Sequence, residues 1–179
     1  MSIIRIDDLT FAYEGAPETV FRGLTLELDD TWKLALTGRN GRGKTTLLKL
    51  LSGELDARGR IHAAARFARF PFAVEDESLP ARAAMAAVCG AEDWRIEREA
   101  GRIGLDEGAL DRPLATLSGG ERMKALLSAL FLIEGCVPLI DEPTNHLDAE
   151  GRRALGRYLA GKRGFVLASH DRDLLDACC

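Results

Sequence analysis

The run Gly38-Arg-Asn-Gly-Arg-Gly43-Lys44-Thr45 constrains this chain more than any other stretch, because it satisfies G-x-x-x-x-G-K-[ST] in full. Glycines let such a loop fold tightly enough for successive backbone N–H groups to converge on one anion. An apolar run at residues 32–37 precedes the loop, and Leu47, Leu48, Leu50 and Leu51 follow it as one helix would carry them. Strand, glycine loop and helix start together place the amides at a helix N-terminus, where unpaired donors and the dipole favour phosphate. Lys44 then reaches the β- and γ-phosphates of a nucleotide, and the Thr45 hydroxyl, with Thr46 beside it, ligates Mg2+. Gly38, Asn40, Gly41 and Gly43 complete the expected cradle.

A nucleotide needs an acidic partner for its metal, and Val137-Pro-Leu-Ile-Asp141-Glu142 supplies one at the end of a buried strand. Ligands bind at the C-terminal edge of an open parallel sheet. Asp141 is expected to hold the Mg2+ shell, and Glu142 to polarise the attacking water as general base.

The remaining elements fit an α/β order. Strands are expected at residues 3–11, 24–28, 60–61, 66–70 and 165–168, and helices at 118–133 and 148–159, with another helix beginning at Asp171. Alternation of this kind implies a parallel sheet with crossover helices. From Leu79 to about Leu110 the chain turns rich in Ala, Glu and Arg, with Met85, Val88, Trp94, Ile96 and Ile103 at amphipathic spacing. We read a single domain over 1–179: an α/β nucleotide-binding core of 1–72 and 117–179, interrupted by a short helical subdomain at 73–116.

Composition narrows the setting. A chain of 179 residues suffices for one core, and a net charge of −4 argues against a general nucleic-acid binder. No apolar stretch nears the roughly 20 residues that cross a bilayer, and no secretory signal opens the chain, so a cytoplasmic location is expected. Cys89, Cys136, Cys178 and Cys179 have no metal-ligand spacing and read as free thiols. The arginines at 58–60, 66–69 and 152–153 read as solvated faces, and His62 as surface.

With the two motifs comes Leu117-Ser118-Gly119-Gly120-Glu121, and all three together resemble the ATP-binding cassette superfamily across nearly the whole chain. The resemblance implies a P-loop NTPase core with a parallel sheet, an N-terminal antiparallel β-subdomain and an inserted helical subdomain. It implies Mg-ATP as ligand and ATP hydrolysis as activity. Ser118, Gly119 and Gly120 would close over the γ-phosphate held by a second cassette rather than over this chain's own nucleotide. Tyr13 matches the aromatic that stacks on adenine, Asp148 the carboxylate of the loop spanning the dimer interface, and His170 the switch histidine that contacts the γ-phosphate. The family's glutamine at the entry to the helical subdomain is missing, and Phe72 falls at its place.

Glu142-Pro-Thr-Asn145-His146-Leu147-Asp148 is similar to the loop of the ABC-F branch, which joins two cassettes in one chain and acts on the ribosome. Trp32-Lys33 and Phe70-Pro71-Phe72 add a likeness to its antibiotic-resistance, ribosome-protecting subgroup. Expected partners are therefore a second cassette, in cis or as a homodimer, and the ribosome; isolated, the domain should be a weak ATPase. The chain would be the N-terminal cassette of a longer two-cassette protein. The alternative is the ATP-hydrolysing module of a membrane transporter.

Overall fold

In the computed structural model, which describes residues 3–39, 41–145 and 147–179, two sheets form. Asn40 and His146 lie outside the described residues. The first sheet is antiparallel and pairs β1 (Ile3–Phe11) with β2 (Phe21–Asp29) on one side and β4 (Arg58–His62) on the other. Ile4, Ile6 and Leu9 of β1 are all buried, although Leu9 breaks their two-residue period. A register shift between Ile6 and Leu9 resolves this: Asp8, at φ 50°, takes up the extra residue and turns Leu9 back inward.

The second sheet is parallel, in the order β3 (Lys33–Leu36), β7 (Phe165–Ala168), β6 (Cys136–Asp141), β5 (Arg66–Phe70). Its central strands are apolar up to Asp141, the last residue of β6, because both faces are covered. Leu139, Val166 and Ala168 join the cluster beneath α1 (Lys44–Leu51) and the antiparallel sheet. Ile140, Phe165 and Leu167 face the opposite cluster, which contains α5 (Gly119–Leu132), α6 (Ala149–Ala160) and α7 (Arg172–Cys178). Three short helices, α2 (Ala81–Cys89), α3 (Asp93–Arg102) and α4 (Glu107–Leu110), cap α5 and form the helical subdomain.

The register decides where chemistry can gather. Leu36 and Asp141 both pair with Ala168, and Phe70 pairs with Ile140 one step back. The segments leaving β3, β5, β6 and β7 therefore emerge from one sheet edge. Among the described residues no helix is long and apolar enough to cross a membrane, and all four cysteines are free thiols.

Candidate functional site

The phosphate loop leaves that edge after β3. Its last glycine, Gly43, is the N-cap of α1 at φ 89°, and no side chain caps the helix among the described residues. Helices α5, α6 and α7 by contrast are capped by their own Ser118, Asp148 and Asp171. The first amides of α1 thus remain available to an anion. Lys44 lies over the loop, its Nζ donating to the Gly38 carbonyl at 2.9 Å. Gly41, Gly43, Lys44, Thr45 and Thr46 line a cavity of about 520 Å³ that Tyr13 and Val20 close on one side and Glu142 and His170 on the other.

Two reasons require glycine at 43. An L side chain is strained at this φ, and a Cβ would lie 2.7 Å from Val20 Cγ1 and 3.0 Å from Phe21 Cζ. Gly43→Ala is expected to push the loop off its seat and weaken binding of a fluorescent ATP analogue by about tenfold or more. An unchanged affinity would place the nucleotide elsewhere. Val20 went unnoticed in the sequence; only its contact with Gly43 brings it to the site.

Tyr13 is anchored rather than free. Its ring packs edge-on against Phe11, and its hydroxyl lies 3.0 Å from the Thr46 hydroxyl, while 43% of the residue stays exposed at the cavity mouth. An exposed ring held in this way can receive a planar base.

After β6 the chain turns sharply: Glu142 has φ 46°, and its N–H donates to the Ala168 carbonyl at 2.8 Å. Backbone strain of this kind in a non-glycine residue needs support from its surroundings. The carboxylate Oε2 receives it from the segment after β7, with His170 Nδ1 at 2.8 Å, the His170 backbone N–H at 3.3 Å and Ser169 Oγ at 3.4 Å. A carboxylate and an imidazole so joined can take a proton from water and pass it on.

Asp141 meets the requirement for a metal ligand. Its Oδ1 is buried with no hydrogen-bond partner among the described residues, an arrangement that costs free energy unless a cation or water completes it. Among the described residues no three His, Cys, Asp or Glu side chains converge as a metal cage. A Mg2+ ion here would therefore depend on Asp141, the exposed Thr45 hydroxyl and the phosphates of its nucleotide, which suits an ion that keeps much of its water.

The other candidates stand apart. Ser118, Gly119, Gly120 and Asp148 line a separate cavity of about 610 Å³ with Lys124 and Arg157. Ser118 Oγ accepts from the Glu121 N–H at 3.2 Å and Glu121 Oε2 accepts from the Ser118 N–H at 2.8 Å, which closes a capping box. Hydrogen bonds from the Ser118 backbone and side chain hold the Glu121 carboxyl below its usual range. Asp148 caps α6 through the Gly151 N–H at 2.7 Å. A larger cleft, about 670 Å³ between α6 and α7, shares His170 with the site.

One expectation needs correction. Arg58, Arg60, Arg66, Arg152 and Arg153 are exposed as expected, and so is His62. Arg69 is not: its side chain is 16% exposed and turns inward toward Glu54 and Asp141. Phe72 lines a cavity of about 280 Å³ with Asp141, Glu142 and Met123.

The family model for ABC transporters matches residues 21–145. The chain is 34% identical to ABC transporter F family member 4 of Dictyostelium discoideum, over 94% of its own length and 15% of that protein. With the human ATP-binding cassette sub-family F member 3 it shares 32% identity over 99% of its length and 26% of the relative. The chain thus spans about a quarter or less of these two relatives. A solved protein from Pyrococcus furiosus, described as an ABC transporter ATP-binding protein, superposes with TM-score 0.79 at 20% identity, covering 94% of this chain and 92% of that one.

Proposed function

The chain belongs to the ATP-binding cassette family, and from that premise we propose that it is one ATPase cassette of an ABC-F protein, hydrolysing Mg-ATP at an interface shared with a second cassette. One observation carries the proposal: the phosphate loop, Glu142 and His170 line one cavity, while Ser118 and Gly120 line a different one. Each surface is half of a site. Head-to-tail pairing brings the serine hydroxyl and helix N-terminus of one cassette onto the phosphates held by the other.

In the mechanism that follows, the loop amides and Lys44 seat the phosphates, and Tyr13 stacks the adenine. Asp141 and Thr45 would hold Mg2+, which would supply positive charge against the phosphates. Glu142 takes the proton of the attacking water, and His170 steadies that carboxylate and contacts the γ-phosphate. Asn40 and His146 retain their sequence-based assignments to the phosphate loop and the interface loop. ATP stabilises the closed pair only to the extent that it binds that state better than the open one.

The F-branch relatives and the Asn145-His146-Leu147 loop support ribosome association, and the Phe70-Pro71-Phe72 segment supports kinship with the resistance subgroup. Turnover per chain is expected to rise with chain concentration and to fall when Ser118→Ala is mixed in. The full product of the encoding gene is expected to sediment with ribosomes when loaded with a non-hydrolysable ATP analogue. Turnover per chain independent of concentration would remove the shared site; recovery in a membrane fraction would favour the transporter reading.

A further inference from the structure

The inward-turned Arg69 joins two carboxylates that lie far apart in sequence. Its guanidinium grips Glu54 with a two-pronged contact, Nε to Oε1 at 2.6 Å and Nη2 to Oε2 at 2.8 Å. The third nitrogen, Nη1, stops 4.0 Å from Asp141 Oδ2, beyond hydrogen-bond reach. Glu54 sits in the turn that ends α1, and Ser52 Oγ also donates to its Oε1 at 2.9 Å. The fork with Arg69 keeps the Glu54 carboxyl below its ordinary range.

An unrestrained guanidinium this close would advance by about an ångström and pair with Asp141, since fork-to-carboxylate contacts are the strongest that Arg makes. Asp141 would then carry a built-in cation in competition with a metal. The observed geometry avoids this, and the other oxygen, Oδ1, remains buried and without a hydrogen-bond partner among the described residues. We propose that Glu54 is a positioning residue for the metal site, restraining Arg69 so that a divalent cation rather than the guanidinium takes Asp141. This role rests on the nucleotide reading above. Through it the far end of the phosphate-loop helix sets how firmly the opposite end of the site holds its ion.

The test uses Mn2+ as the probe, titrated by electron paramagnetic resonance into the chain saturated with a non-hydrolysable ATP analogue. Affinity for the analogue is measured separately in EDTA. Glu54→Gln keeps the size and the Ser52 contact but loosens the fork, and it is expected to weaken Mn2+ binding about tenfold with metal-free analogue affinity unchanged. Adding Arg69→Met to Glu54→Gln removes the competitor, and Mn2+ affinity is expected to return to within about twofold of the unaltered chain. Arg69→Met alone is expected to bind Mn2+ at least as tightly as the unaltered chain, with thermal melts confirming that each variant folds. A double variant as weak as Glu54→Gln, or a Glu54→Gln variant with normal Mn2+ affinity, overturns the role while leaving the nucleotide site standing. Failure of the unaltered chain to bind the analogue removes the nucleotide reading and this role together.

Discussion

Glu142→Gln is expected to lower ATP turnover by about two to three orders of magnitude, the usual worth of a positioned general base. Nucleotide binding should survive, because glutamine keeps the shape and an oxygen that can still accept from the His170 N–H and Ser169 Oγ. What it loses is the ability to take a proton. The nucleotide then stays uncleaved, and paired chains should accumulate in the closed state, measurable by size-exclusion chromatography with ATP. His170→Ala should cost less alone and less than additively on top of Glu142→Gln, because part of its effect runs through the 2.8 Å contact with that carboxylate. Turnover unaffected by Glu142→Gln sinks the assignment of the base.

The largest effect on stability is expected at Glu99, far from the nucleotide. Its side chain, on α3, is only 5% exposed and meets three partners. Tyr158 of α6 donates to Oε1 at 2.6 Å, the Lys162 ammonium contacts the same oxygen, and Arg102 Nη1 lies 3.3 Å from Oε2. Lys162 also sits over the rings of Phe131 and Tyr158 at 5.0 and 4.5 Å. These contacts bolt the helical subdomain to the core. Glu99→Ala strands a buried ammonium and is expected to cost about 3–5 kcal/mol in urea unfolding, most of it recovered when Lys162→Met is added. A loss below about 1 kcal/mol would mean that Lys162 finds water instead. Burial pushes the Glu99 carboxyl up, but Lys162 and Tyr158, with Arg102, together leave it below its ordinary 4.5. A carboxyl more acidic in the folded state stabilises above about 4.5 and loses that contribution as pH falls through the lowered value. Subdomain docking should therefore weaken at acid pH, and Glu99→Gln should flatten that dependence.

Contiguity decided what could be read beforehand. The phosphate loop and the Asp141–Glu142 strand end each place their chemistry within a few residues, so residue type and spacing sufficed. The strands at 66–70 and 165–168 came out with the same bounds, because apolar runs between turn residues mark buried strands well. The strand at 24–28 was read too short: Phe21 pairs with Phe11 beyond the bulge, which alternation alone does not reveal. The Glu54–Arg69–Asp141 chain was invisible because its members are distant in sequence, and an arginine run on a short strand looks like solvated surface. Glu99 had a signal that went unused. It falls between Ile96 and Ala100, and with Ile103 these occupy helical positions i, i+3, i+4 and i+7, so a carboxylate stands inside the apolar stripe.

Phe72 carries a last implication. Its ring packs edge-on to Phe70 and shares a cavity with Asp141 and Glu142, yet it has nothing with which to hold a water molecule. On the proposed mechanism, a water near the γ-phosphate is gripped by Glu142 and His170 without help from position 72 until an opposing chain arrives. The delay between loading and cleavage is then governed by how long two chains remain together, and such a protein keeps time by association rather than by the speed of its bond-breaking step.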